Sequence, residues 1–315
     1  MCGTDPTSAV DAGGDSSGEF AVVTLPNGWQ VGQFAPLTYL AGLAHAVTTR
    51  RGLDAALART DCSAAGVQVA AALGLEGVAF CHQVHGARVV RVDGAGLAGE
   101  GDALLTDRPG LGVMGFSADC PLVLLADPAG PAVGVAHASW RSTVQRITAR
   151  LVEAMAGELG ASPDRLVACI CPSAGPCCYE VGGEVVQAAV DALGLVAERF
   201  FRERMGGGEG GRGEGRGRRG DAETRGRGEG KTGRRETGDR EEGRGGDAEG
   251  GGGSKFLFDL WAANRDQLIR GGLKRANVHT AGVCTICRND LFPSYRVEGQ
   301  SAGRFIAAIG RRVAR

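Results

Sequence analysis

Two stretches of the chain concentrate residue types that can do chemistry. Residues 118–142, ADCPLVLLADPAGPAVGVAHASWRS, contain Cys120 and His137, and residues 81–86, CHQVHG, contain His82 and His85. Thiolate and imidazole are good metal ligands. Two histidines and one cysteine suit tetrahedral zinc with the fourth position left to water, the pattern of catalytic rather than structural sites. Such a water ionises near neutral pH and attacks electrophilic carbon. The competing reading is a set of hydrogen-bonded core histidines with Cys120 as a small apolar residue. Two details favour the metal: Asp119 stands beside Cys120, able to orient an imidazole, and His137 runs directly into the polar Trp140-Arg141 pair.

Positioning such a site requires particular elements. The apolar runs 121–126 and 132–136 flank the turn signal Asp127-Pro128-Ala129-Gly130, which predicts strand, turn, strand. Paired as a hairpin, the runs put Cys120 and His137 at the same end. His85 precedes another strand-like run, Val89 to Val92, and must arrive from a third segment.

The remaining elements follow from period and punctuation. Phe20–Val23 and Trp29–Phe34 predict a hairpin around Pro26-Asn27-Gly28. A loop carrying His45, Arg50 and Arg51 follows, then an Ala-rich helix over 63–74 and strands at 78–84, 88–93 and 111–117. Ser142 is the expected N-cap of a helix whose apolar face is Val144, Ile147, Leu151, Ala154 and Met155, with Gly157 and Gly160 bracketing its end. Leu166–Cys171 predicts a strand and Gly183–Leu193 a helix. Asp259 caps a helix over 260–269 that Gly271 stops. Strands alternate irregularly with helices, so the class is α/β or α+β with a mixed sheet.

Composition bounds the rest. Residues 202–254 hold 21 of the 54 glycines, 13 of the 35 Lys and Arg and 12 of the 36 Asp and Glu, with Met205 the one large apolar residue. Such a stretch cannot bury enough apolar surface to offset its ordering entropy, so a disordered insertion is expected. Residues 1–19 are expected to be a disordered tail, and 20–201 with 255–315 to form one catalytic domain. Outside the insertion 22 basic residues face 24 acidic ones, which lacks the basic bias of a nucleic-acid binder. The ten cysteines, the absence of a signal-peptide pattern at the N-terminus and the lack of an 18-residue apolar run point to a reducing cytoplasm, with no membrane partner.

Several look-alikes fall away. Gly94-Ala95-Gly96-Leu97-Ala98-Gly99 matches a dinucleotide fingerprint but leads into another apolar run rather than a helix, leaving no N-terminus to hold a pyrophosphate. Gly230-Lys231-Thr232 lies in low-complexity sequence, and position 225 is arginine where a P-loop needs glycine. Cys284-Thr285-Ile286-Cys287 is a lone C-x-x-C without the second pair a zinc ribbon needs, so buried thiols are expected there and at Cys169 and Cys171.

The segments HQVHG, GDALLTDRPGLG, SADCPLVLLADP, GVAHASWRS, CPSAGPCCYEVG and DLWAANRDQL, then CT, FPSYR and GR, occur in that order. Together they resemble the laccase-domain, YfiH-like family over about residues 80–193 and 255–310. Members were once called multicopper polyphenol oxidoreductases and are described as purine nucleoside phosphorylases with adenosine deaminase activity. The resemblance implies a single α/β domain with mixed layered sheets flanked by helices. It maps a zinc site onto His85, Cys120 and His137, leaving His82 as a neighbour. Copper is not expected: a trinuclear cluster with a blue site demands many imidazoles, usually as H-x-H, and this chain has five histidines and no such pair.

The implied reaction is zinc-dependent phosphorolysis of adenosine-, inosine- or guanosine-type nucleosides and methylthioadenosine, with deamination of adenosine. Arg50, Arg141 and Arg296 are the candidate phosphate donors, and Asp119 or Glu180 the candidate proton carrier. A rival is a Cys/His hydrolase, such as an amidase editing peptidoglycan precursors, with Cys120 as nucleophile and His137 or His85 as base. A third is a binding protein with a decayed site, because Ser139 and Ser142 stand where the family pattern A-H-A-G-W-R-G has glycine, and Cys171 replaces a further glycine. A serine at a position needing φ > 0 or close approach to substrate would add strain or bulk of about 1 kcal/mol or more.

Overall fold

In the computed structural model, which describes residues 19–204 and 254–314, the apolar runs at 121–126 and 132–136 are strands buried on both faces. That is why they read as continuous rather than alternating hydrophobic stretches. In chain order the strands are β1 (Phe20–Thr24), β2 (Gln30–Phe34), β3 (Leu43–Thr48), β4 (Gly77–His82), β5 (Val89–Arg91), β6 (Gly96–Glu100), β7 (Ala103–Thr106) and β8 (Leu111–Ser117). There follow β9 (Leu122–Ala126), β10 (Val133–His137), β11 (Val167–Ile170), β12 (Glu180–Gly182), β13 (Phe201–Glu203), β14 (Lys255–Phe258), β15 (Val278–Thr280) and β16 (Phe305–Arg311).

One sheet has the order β1-β2-β3-β16-β8-β4-β6 and a second β15-β11-β9-β10-β7-β5; β12-β14-β13 forms a small third. Both larger sheets mix parallel and antiparallel pairs. The two-residue period of β9 explains the layering. Leu122, Leu124 and Ala126 face a core shared with Val47, Val113, Phe305 and Ile309 of the seven-stranded sheet. Val123 and Leu125 point the other way, onto the helices Ile147–Leu159 and Leu260–Arg270. The outer face of the seven-stranded sheet is covered by the helix Cys62–Leu73 through Ala65, Val69 and Leu73. The result is a helix, sheet, sheet, helix arrangement, the α/β fold with mixed, layered, helix-flanked sheets.

Both sequence blocks build these layers. β16 lies between β3 and β8, and β14 between β12 and β13. The helix Ile147–Leu159 buries Ile147, Leu151, Val152 and Met155 completely, each worth roughly 1.5–3 kcal/mol of transfer free energy. Gly134 makes this approach possible: a Cβ there would lie 3.1 Å from Leu151 Cδ1 and 3.2 Å from the Leu104 carbonyl.

Two sequence expectations change. The loop expected around His45 is β3, a fully buried central strand. Its alternation is hidden because both faces are covered, and His45 is tolerated because its Nε2 accepts the Phe34 N–H at 2.8 Å. The helix expected from Ser142 is two helices, Trp140–Val144 and Ile147–Leu159, separated by Arg146 at φ 64°. Val144 packs with the small sheet and Ile147 with the large layers, so one straight helix cannot serve both. The expected N-terminal tail and the insertion lie outside the described residues except at their edges. Glu19 bonds His279 Nδ1 at 2.7 Å, and Arg202 and Glu203 belong to β13. Among the described residues no helix is long and apolar enough to cross a membrane.

Candidate functional site

Strand register assembles the site. In the β9–β10 hairpin His137 faces Leu122, so Cys120, two residues upstream of Leu122, lies at the same end, as expected. On the other side of β10, Ala136 faces Ala103 of β7, which sets Asp102 beside His137. The His137 backbone N–H donates to the Asp102 carbonyl at 2.6 Å, and His137 Nδ1 lies 2.9 Å from Asp102 Oδ1. β5 runs parallel to β7 with Val89 facing Ala103, so the turn before β5 passes over the same carboxylate.

That turn carries His85. The backbone N–H groups of Val84, His85 and Gly86 donate to the Asp102 carboxylate at 3.3, 3.0 and 2.7 Å. Successive N–H groups wrapped round an anion form a nest, whose curvature needs a left-handed residue. His85 supplies it at φ 58°. The His85 and His137 rings meet edge to face, centroids 5.0 Å apart. Ligand atoms of His85, Cys120 and His137 all lie within 4.8 Å of one another, with His85 exposed, Cys120 half-buried and His137 buried.

Electrostatics follow from this packing. Burial alone would raise the Asp102 carboxyl, but the His137 bond and the N–H groups of Gly86 and Val84 hold it below the usual carboxylate range. Burial would depress the His137 imidazole; Asp102 and Cys120 override it and raise it to about 9. Burial likewise opposes ionisation of Cys120, yet His137 and His85 bring the thiol down to about 6. Each group thus favours the charged form of the other, the thiol toward thiolate and the imidazole toward imidazolium.

Asp119 does not take the expected role. It orients no imidazole; its carboxylate accepts from Thr285 Oγ1 at 2.6 Å, Ser294 Oγ at 3.1 Å and the Arg296 N–H at 2.7 Å, which braces the turn before Cys120 at φ 95°. Asp102 does the orienting. Its signal was the carboxylate at the head of the GDALLTD run, but only the β7–β10 register identifies it. Glu180 is ion-paired to Arg204 and lies 3.9 Å from Lys255.

His82 ends β4 outside the three-ligand group. Arg296 stacks on Tyr179 at 4.9 Å and donates to the Glu180 carbonyl at 2.9 Å. Tyr179 is itself beside Cys120: burial, then the Cys120 charge, pushes its hydroxyl above the ordinary value, with Arg296 partly opposing. Arg141, four residues after His137, stacks on Trp140 at 4.4 Å. Arg50 is ion-paired to Glu298 and donates to the Asn289 carbonyl, so part of its donor capacity is already engaged. Ser139 sits at φ −54°, an ordinary conformation, and its Oγ accepts the Ser142 N–H at 3.1 Å as the N-cap of the helix Trp140–Val144. The expected strain is absent, and Ser139 rather than Ser142 is the cap. Cys171 is wholly buried in the core between the two large sheets.

The donor set fits a zinc ion. His137 has Nδ1 committed to Asp102, which leaves Nε2 as ligand with a carboxylate behind it. A multicopper assembly does not fit: His45 is buried with Nε2 occupied and depressed to about 4 by burial, His279 is bound to Glu19, and His82 stands apart.

The chain is 44% identical over 143 residues to a purine nucleoside phosphorylase of Deinococcus radiodurans, an alignment covering 44% of this chain and 55% of that relative. The chain thus spans about half the length of that protein in the match. It is 30% identical over 226 residues to the adenosine deaminase RL5 of an unknown prokaryotic organism, covering 71% of this chain and 68% of that one. The crystal structure of YlmD from Geobacillus stearothermophilus shares the fold, with TM-score 0.68 at 25% identity over 93% of this chain and 99% of that one. The family model described as multi-copper polyphenol oxidoreductase laccase matches residues 50–210 and 234–312. With that match spanning most of its length, the chain belongs to the multi-copper polyphenol oxidoreductase laccase family.

Proposed function

We propose that the chain is a zinc-dependent enzyme of purine nucleosides, cleaving the N-glycosidic bond by phosphorolysis and also deaminating adenosine. The observation that carries this reading is the convergence of His85, Cys120 and His137 over one buried carboxylate, Asp102. The activities named for the relatives supply the substrate class.

His85, Cys120 and His137 would hold the ion, His137 through Nε2. Bound zinc supplies Lewis acidity and activation of a nucleophile near neutral pH. In phosphorolysis a phosphate oxygen attacks C1′ of the ribose as the purine leaves, so the phosphate must be held by charge-assisted donors. Arg296, stacked beside the site on Tyr179, and Arg141, four residues after His137, are those donors; Arg50 is the third, steadied by Glu298. Asp102 keeps His137 in one tautomer and orientation and fixes the backbone that presents His85.

Incubation of untagged protein with adenosine, inosine, guanosine or methylthioadenosine, with and without phosphate, tests this. Chromatography should show phosphate-dependent release of free purine bases and phosphate-independent conversion of adenosine to inosine. A protein that yields no such product from any of the four nucleosides is not this enzyme.

A second reading is favoured by the thiolate–imidazolium pair backed by Asp102, the arrangement of a Cys-His-Asp hydrolase. Metal analysis separates the two. A metal-free chain whose Cys120 alkylates readily, and which cleaves amides, would displace zinc. The decayed-site reading loses its strain argument, since Ser139 sits at φ −54°.

A further inference from the structure

Beyond this site, the lone C-x-x-C of the sequence acquires a second pair. Cys177 and Cys178 lie in the loop after β11, and Cys284 and Cys287 in the segment after β15. The four sulfurs lie within 4.8 Å of one another. Cys178 Sγ is 3.4 Å and Cys177 Sγ 3.7 Å from Cys287 Sγ. A zinc ion with four thiolates at ~2.3 Å has sulfur–sulfur edges of roughly 3.8 Å, whereas a disulfide requires ~2.05 Å. The cluster therefore has the dimensions of a tetrahedral thiolate cage.

The backbone is arranged to match. The Gly175 N–H donates to Cys284 Sγ at 3.3 Å, and the N–H groups of Ile286 and Cys287 face the same sulfur. N–H groups two and three residues beyond a cysteine, turned back onto its sulfur, stabilise negative charge there. Gly175 is required for this approach, because a Cβ at that position would lie 2.8 Å from Trp261 and 3.1 Å from Cys284 Cβ. Cys284 is buried while Cys177 and Cys287 are exposed, so an ion can enter from solvent. The expectation of merely buried thiols holds for Cys169 and Cys171 and fails here.

We propose that Cys177, Cys178, Cys284 and Cys287 form a structural zinc site, separate from the His85, Cys120 and His137 centre. Each thiol gives up its proton on coordination, and all-thiolate ligation leaves no position for substrate. The site's function is to clamp two loops that together hold the turn before Cys120. From the first loop the Ala174 N–H donates to the Asp119 carbonyl at 2.8 Å; from the second, Thr285, next to Cys284, donates to the Asp119 carboxylate at 2.6 Å. Ser173 and Cys284 already form a bridge between these loops. The proposal does not depend on the purine nucleoside reading.

The test uses the full chain purified anaerobically without a polyhistidine tag, with zinc measured by mass spectrometry of the metal. Wild type should carry two zinc ions, His137→Ala one, and Cys178→Ser/Cys287→Ser one. Cobalt added to metal-depleted His137→Ala protein, in which the four cysteines are untouched, should give the intense sulfur-to-cobalt charge-transfer and tetrahedral ligand-field bands of four-thiolate coordination. Chelation should then lower the Tm of that variant. A single zinc in wild type that His137→Ala removes entirely overturns the proposal. So does a disulfide joining Cys287 to Cys177 or Cys178 in the anaerobic protein.

Discussion

Asp102 meets His137 at 2.9 Å through its carboxylate, and the same carboxylate gathers the N–H groups of three residues centred on His85. One buried side chain thereby orients the His137 ring and the His85 backbone. Asp102→Asn keeps the volume but offers an amide hydrogen where acceptors are needed. Zinc affinity, measured by competition with a chromophoric chelator, should fall about 10–100-fold, the usual cost of losing an orienting partner. An unchanged affinity would show that Asp102 serves folding alone.

Metal removal should expose the ionisation of Cys120. With the thiol lowered to about 6 and His137 raised to about 9, the ion pair exists between those values. The signs are opposite at the two ends. The depressed thiol contributes stability above its ordinary pKa that is lost as pH falls through about 6, and the raised imidazole contributes stability at low pH that is lost as pH rises through about 9. In metal-depleted protein the rate of Cys120 alkylation by iodoacetamide should therefore rise with a midpoint near pH 6, and zinc should suppress it. A midpoint at the ordinary thiol value refutes the pairing.

Ser139 and Ser142 hydrogen-bond each other at 2.8 Å, so the two departures from the family's glycine pattern support each other. Ser139→Ala removes the N-cap and should cost about 1 kcal/mol in urea denaturation, whereas Ser139→Gly should cost only a few tenths. In a double-mutant cycle, Ser139→Ala and Ser142→Ala should be coupled. Strict additivity would show that the pair makes no joint contribution.

His45 sets an acid limit on stability remote from the His85, Cys120 and His137 group. Burial depresses it to about 4 from 6.5, so the unfolded chain binds the proton that the folded chain refuses. Its contribution is complete above 6.5 and is lost as pH falls toward 4, a change of roughly 3 kcal/mol at 1.36 kcal/mol per unit. His45→Gln can still accept the Phe34 N–H and should flatten the stability profile between pH 4 and 6.5. An unchanged slope would place the acid sensitivity elsewhere.

The strongest local signals match the elements that form. The hairpin of β9 and β10, the exact span of the helix Gly183–Leu193 and the caps Asp259 and Gly271 follow from short-range rules of turn chemistry, period and capping. The loop expected around His45 failed because a strand covered on both faces shows no alternation, and the helix expected from Ser142 failed because its two halves pack against different layers.

By itself, then, the sequence determined the class of fold, the hairpin that sets Cys120 and His137 at one end, and the choice of His85 as their partner through its resemblance to a family. Only the tertiary structure decided which carboxylate stands behind them. Asp102 is 35 residues from His137 in the chain and becomes its neighbour through the register of β7 against β10. It also decided that Cys177 and Cys178 complete the cluster begun by Cys284 and Cys287, more than 100 residues away. Spacing rules act over a turn or a hairpin. Pairing between distant strands and loops is set by how whole layers bury their apolar faces, and no local pattern encodes it.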